Sequence, residues 1–239
     1  MQPTYRPAGD TGLVVEFEER IDPAILERVR ALDNRIAEAG IPGVVETVPT
    51  YRSILVLLDP LRTRPDEVEA AVRALDSGTM QAAHAGHRVW RIPVAYGGAF
   101  GADFDEVAER TGLSGEALRD LHSGAEYTVY MIGFAPGFAY LGGLPDRLHL
   151  SRRASPRTKV PAGAVAIGGQ QAAVFSVEMP SGWHLLGRTP VRAFAPERAD
   201  PFLFRQGDRI RFAPIEAETF HALADREARG EAVADLLAP

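Results

Sequence analysis

Apolar residues along the first third of the chain follow first a strand-like and then a helix-like period. Leu13–Phe17, entered through Gly9-Asp10-Thr11-Gly12, predicts a short strand. Ile25, Val29, Leu32 and Ile36 then fall on one face of a helix. Asp22 before Pro23 supplies an N-cap and a first-turn proline, and Gly40 supplies the stop. Pro42-Gly43 turns the chain into two further apolar runs, Val44–Val48 and Ser53–Leu58, around Pro49-Thr50-Tyr51. A second helix is predicted from Thr63, with Asp66 approximating a capping box. Val68, Ala71, Val72 and Leu75 are its buried stripe, and Ser77-Gly78 ends it. The order β-α-β-β-α suits a ferredoxin-like α/β sandwich over residues 1–80. Val89–Tyr96 is available either as its closing strand or as the exit from the domain.

Residues 81–88 are small, polar and aperiodic, and are expected to link two domains. Beyond Gly97-Gly98, Asp103–Arg110 and Ser114–His122 predict two short helices, a hairpin over residues 103–122. From Tyr127 onward the apolar runs are short and broken by Gly or Pro every few residues. Thr128–Ile132, Val165–Ile167, Ala172–Val177, His184–Leu186 and Arg209–Phe212 are examples. That punctuation predicts a β-barrel or sandwich. Glu216–Leu237 returns to helical composition and predicts a C-terminal helix. The expected fold class is α+β, with residues 89–239 as the second domain.

A chain of 239 residues, 46% hydrophobic and 24% charged, can bury its own core without disulfides or structural metals. It contains no cysteine, which removes disulfides, thiolate nucleophiles and iron–sulfur clusters. A net charge of −6 argues against general binding to nucleic acid or anionic membranes. Glu106–Leu118 has the outline of a helix-turn-helix. However, Asp103–Asp120 carries six acidic side chains against two arginines, the wrong sign for phosphate contacts, so a plain helical hairpin is expected. No apolar run approaches the roughly 18 residues of a membrane span, and no signal peptide is visible, so a cytoplasmic protein is expected. The histidines at 84, 87, 122, 149, 184 and 221 show no metal-ligand spacing, so no metal site is expected.

Three blocks carry candidate chemistry. Met131–Pro145 interleaves Gly133, Gly137, Gly142 and Gly143 with Phe134, Pro136, Phe138 and Tyr140, which fits either a binding loop or a tight barrel-end turn. Ser151–Gln171 concentrates Arg152, Arg153, Arg157 and Lys159 before Gly168-Gly169-Gln170. Those cations suit a carboxylate or phosphate, or else a solvated stretch. Met179–Pro190 brings Trp183, His184 and Arg188, with His184 read first as a packed, hydrogen-bonded residue. His122, at the end of a predicted helix, is either a C-terminal cation or an acid/base group.

These blocks, with Gly9-Asp10, Val15-Glu16-Phe17, Pro49-Thr50-Tyr51 and Ile92–Gly98, resemble one family over about residues 5–212. It comprises the B subunit of the bacterial ATP-dependent 5-oxoprolinase, also known as allophanate hydrolase subunit 1, and includes the sporulation kinase inhibitor KipI. The resemblance implies a ferredoxin-like domain followed by a cyclophilin-like β-barrel. It implies a sister barrel subunit (the C subunit of 5-oxoprolinase, or allophanate hydrolase subunit 2). It also implies a third component, the A subunit, with which 5-oxo-L-proline is opened to L-glutamate. ATP with Mg would act at the level of the complex, and this chain is expected to be inactive alone. By residue type, Arg157 and Lys159 would neutralise a phosphoryl group and His122 would serve as acid/base. Gly133, Phe134, Pro136, Gly137, Phe138, Gln170, Trp183 and Arg188 would bind substrate or ATP. Two other readings share the motifs: a KipI-like inhibitor of a histidine kinase, and a carboxyltransferase-type half-site for urea or allophanate.

Overall fold

The computed structural model describes residues 2–76 and 88–238, and the chain divides into two compact units within residues 1–85 and 86–239. The expected linker, apart from Arg88, lies outside the described residues. Among the described residues no helix is long and apolar enough to cross a membrane.

The first unit contains β1 (Thr4–Pro7), β2 (Gly12–Glu16), α1 (Pro23–Ala39), β3 (Val44–Pro49), β4 (Ser53–Leu58) and α2 (Pro65–Asp76). The sheet is antiparallel in the order β1-β2-β4-β3. The helix signals act as read: Asp22 accepts a 2.8 Å hydrogen bond from the Ala24 amide, and Gly40 closes α1 at φ 55°. On β4, Ile54, Val56 and Leu58 alternate inward and meet Val29, Leu32 and Ile36 of α1 and Val68 and Val72 of α2. Each fully buried side chain of this size contributes roughly 1.5–3 kcal/mol. The edge strand β1 has no counterpart in the sequence reading, because its residues are largely exposed and carry no alternating pattern.

Val89–Tyr96 does not close this sheet. It is β5 of the second unit, which continues with α3 (Phe104–Thr111), α4 (Gly115–Ser123), β6 (Glu126–Ile132) and β7 (Ala139–Gly142). There follow β8 (Arg157–Val160), β9 (Ala164–Gly168), β10 (Gln171–Val174), β11 (Met179–Ser181), β12 (His184–Arg188) and β13 (Arg209–Pro214). The chain ends with α5 (Ala217–Ala228) and β14 (Asp235–Ala238). Seven strands close a barrel in the order β12-β9-β10-β7-β6-β13-β5, with β5 returning to β12 through Gly187↔Tyr96 and Arg188↔Ala95. Gly187 is required at that seam, since a Cβ there would stand 2.5 Å from the Ala95 carbonyl oxygen. β14 pairs with the start of β5, so the predicted C-terminal helix is shorter than expected and gives way to a strand.

Strand alternation divides the apolar residues between two cores. Val165 and Ile167 of β9, with Val174, Leu186, Ile92 and Phe212, fill the barrel. Ala164, Ala166, Ala173 and Phe175 face outward, where they are covered by Val160, Met179, Trp183 and Phe138. The small sheet of β8 and β11 lies in that outer layer.

Candidate functional site

The three motif blocks separate into distinct environments. The first is a buried ionic knot. Asp103, 1% exposed, accepts from Arg153 Nη1 at 2.7 Å, from Arg157 Nη1 and Nη2 at 2.8 and 2.6 Å, and from the Leu185 amide at 2.8 Å. Burial alone would raise its pKa, but the Arg157 and Leu185 hydrogen bonds and the two guanidinium charges hold it below the usual aspartate value. Arg157, expected as a phosphoryl-neutralising residue, is placed here with both terminal nitrogens on Asp103. Asp103 gives no sequence signal, because its arginines lie 50 and 54 residues away.

Glu106 and His184 stand beside the knot, and one ligand atom from each, with one from Asp103, falls within 4.8 Å of the others. The arginines already neutralise this cluster: Arg153 Nη1 also donates to Glu106 at 3.2 Å, and His184 Nε2 lies 2.9 Å from the Ser151 carbonyl oxygen. With two guanidiniums on Asp103, a cation is electrostatically disfavoured there.

The second environment is aromatic. Phe138 packs edge-on against Tyr140 at 4.6 Å and Phe175 at 4.8 Å, and Trp183 lies 6.1 Å from Tyr140. The guanidinium of Arg152 covers the Trp183 ring at 5.2 Å. Gly168 leaves room for that ring, since a Cβ would meet Trp183 Cδ2 at 2.9 Å. Gly168→Ala is expected to destabilise the chain by about 1–3 kcal/mol and to shift Trp183 fluorescence, both readable in one thermal melt. Phe138 and Trp183, expected as ligand contacts, are thus core residues at 2% and 4% exposure.

His122, at the end of α4, is packed into the core of the second unit against Tyr127 and Phe212. It is fully buried, its ring stacks on Phe212 with centroids 5.1 Å apart, and Nδ1 shares a 2.8 Å hydrogen bond with the Tyr96 hydroxyl. Burial lowers its pKa to about 3, so the ring is neutral at physiological pH. The expected acid/base residue is thus a neutral, enclosed ring packed between Phe212 and Tyr96. Lys159 is an exposed cation 3.3 Å from Glu178, and Gln170 is exposed in the β9–β10 turn. Phe134 is 77% exposed with φ 69°, beside exposed Pro136. Gly133 is half-buried there, and its amide donates to the Phe138 carbonyl. Gly137 needs its φ of 72° and its missing side chain, because a Cβ would lie 2.7 Å from Phe194 Cβ.

Arg188 is different. It sits at the mouth of a cavity of about 210 Å³ lined also by Gly163, Ser176, Thr189, Phe220, Ala224 and Glu227. Its Nε donates to the Ala162 carbonyl at 3.0 Å, its guanidinium lies 5.8 Å over Phe220, and among the described residues no carboxylate pairs with it. The Ser176 hydroxyl is buried and has no hydrogen-bond partner among the described residues. Ser176 gave no sequence signal, being one serine outside any recognisable pattern. A larger cavity of about 440 Å³ is lined by Trp90, Arg88 and Arg198, but its two arginines are already paired with Asp208 and Glu227. Sites for drug-sized ligands run to roughly 300–1,000 Å³, so the Arg188 cavity is of a size for a small molecule.

The carboxyltransferase domain family, subdomain C and D, matches residues 3–204. The chain is 37% identical over 224 residues to the 5-oxoprolinase B subunit of Bacillus subtilis (strain 168), covering 90% of this chain and 93% of that protein. To the 5-oxoprolinase B subunit of Escherichia coli O157:H7 it is 42% identical over 207 residues, covering 86% and 93%. Among solved structures, the Kluyveromyces lactis urea carboxylase matches with TM-score 0.82 at 20% identity, a likeness of fold, over 98% of this chain and 23% of that one. A longer crystallised protein matches at 37% identity and TM-score 0.77, over 86% of this chain and 40% of that one.

Proposed function

The chain belongs to the family of 5-oxoprolinase B subunits, built on carboxyltransferase subdomains C and D, and from that premise we propose that it is one component of an ATP-dependent cyclic-amide hydrolase acting on 5-oxo-L-proline. The observation that carries this reading is the match along almost the full length of the 5-oxoprolinase B subunit from two bacteria. In the reaction the ring C–N bond breaks, the oxygen of water joins the carbonyl carbon, and the nitrogen takes up a proton to give L-glutamate. In this reading ATP, with Mg, acts at the level of the complex. Partners of the A and C types complete the site, and the isolated chain is inactive. The complex works in the cytoplasm, where ATP is at hand.

The domain reading belongs to the same proposal. The crossover from β2 through α1 to β3, with β4 between them, supports a ferredoxin-like first domain in which β1 takes the place of a closing fourth strand. The closed barrel supports a cyclophilin-like second domain over residues 89–239. The carboxyltransferase-type half-site remains the second reading, favoured by the fold likeness to urea carboxylase.

The test is ADP formation by this chain mixed with homologues of the A and C subunits. Addition of 5-oxo-L-proline is expected to raise ADP release only when this chain is present. Stimulation by urea in place of 5-oxo-L-proline would move the assignment to the second reading.

A further inference from the structure

We propose that the cavity at Arg188 is a subsite for the carboxylate of a small substrate, with Arg188 and Ser176 as its two donors. The inference rests on the reading of this chain as part of an oxoprolinase, and it specifies what the chain contributes there.

Two independent observations point to a ligand. Arg188 is a cation at a cavity mouth that no carboxylate of the described residues neutralises. Ser176 is 7% exposed, lines the same cavity, and leaves its hydroxyl unpartnered. A buried hydroxyl without a partner is unfavourable, and a bound oxygen acceptor relieves it. A carboxylate matches this pair, one oxygen for the guanidinium and the other for the Ser176 hydroxyl, which is enclosed as it stands and turns about its Cα–Cβ bond into the cavity to donate. Glu227 argues against a more highly charged occupant. It lines the cavity with its own charge held by Arg198 and the Arg192 amide. A phosphate dianion would meet one free guanidinium and a nearby carboxylate. Phe220 and Ala224 add apolar surface to the lining, with the Phe220 ring beneath the Arg188 guanidinium. The geometry assigns the carboxylate end of the substrate to this chain and leaves the reacting amide to face the rest of the complex.

The test compares 5-oxo-L-proline with pyrrolidin-2-one, the same lactam ring without its carboxylate. In the assembled enzyme, Arg188→Gln is expected to raise KM for 5-oxo-L-proline at least about tenfold, the value of one charge-assisted hydrogen bond, with a smaller change in kcat. Ser176→Ala is expected to raise it several-fold, Arg188→Lys to recover part of the loss, and turnover of pyrrolidin-2-one to be unmoved by all three. Unchanged KM in an active Arg188→Gln enzyme, or equal losses for both lactams, would overturn the subsite while leaving the oxoprolinase reading in place. If the wild-type complex releases no glutamate, the function reading fails instead. Equilibrium dialysis of the full chain with acetate and with inorganic phosphate then decides the subsite. Acetate binding that requires Arg188 supports it. Tighter binding of phosphate, or binding of neither, overturns it.

Discussion

Asp103→Asn is expected to lower the stability of the chain by about 3–5 kcal/mol, the usual consequence of removing one partner from a buried ion pair. The carboxylate is closed off from solvent and accepts from Arg153, Arg157 and the Leu185 amide. Asparagine keeps one acceptor oxygen, presents an amide N–H where the guanidiniums need an acceptor, and leaves their charges uncompensated. For a unit of this size each kcal/mol moves Tm by roughly 2–4 °C, so a fall of about 10 °C is expected in a calorimetric scan. Arg157→Ala should be milder, about 1–3 kcal/mol, because Arg153 continues to hold Asp103. Any loss of turnover in Arg157→Ala should therefore track loss of folded protein. A variant with wild-type Tm and lost kcat would instead assign Arg157 a catalytic role.

The second large effect is on pH dependence. His122 has a folded pKa of about 3, set by burial, against an ordinary value of 6.5. Between those values the unfolded chain binds a proton that the folded chain refuses, so this residue erodes stability as pH falls below about 6.5, by up to about 1.4 kcal/mol per unit. From pH 7.5 to pH 5 the loss from His122 is about 2 kcal/mol. His122→Phe keeps the aromatic stack on Phe212 and removes the proton, so its stability should change less over that range than that of the wild type. At neutral pH it should itself be weaker by about 1–3 kcal/mol, since the Tyr96 hydroxyl loses its partner. Denaturant titrations at several pH values measure both. Were His122 an acid/base group, the same variant would instead lose roughly 10²–10⁴ in kcat while remaining folded.

The local signals in the sequence were largely sufficient for the elements. Asp22, Pro23 and Gly40 delimit α1 because capping and left-handed closure depend on single residue types. The Gly- and Pro-broken apolar runs reported barrel strands because each strand is short and half of its residues face a core. What escaped was long-range. Val89–Tyr96 fits either sheet as a strand, and only its partners β12, β13 and β14 decide the matter. The polar strand β1 has no core face to announce it. The motif blocks themselves were legible, but not what each residue in them touches. Trp183 and His184 stand at one end of β12 and Arg188 at the other, roughly 13 Å apart at the rise of a strand. One continuous motif thus serves a packed aromatic layer and a cavity. Cations grouped in sequence separated in space: Arg157 turned to Asp103, Lys159 to Glu178, and Arg188 to the cavity. Ser176 emerged only from the shape around it.

The most direct measurement of the central claim is L-glutamate release from 5-oxo-L-proline by the reconstituted subunits, with ATP, in the presence and absence of this chain. The account predicts release that requires all components and falls to background when this chain alone is omitted. Undiminished release without it, or no release from a complex shown by size-exclusion chromatography to contain it, would contradict the account.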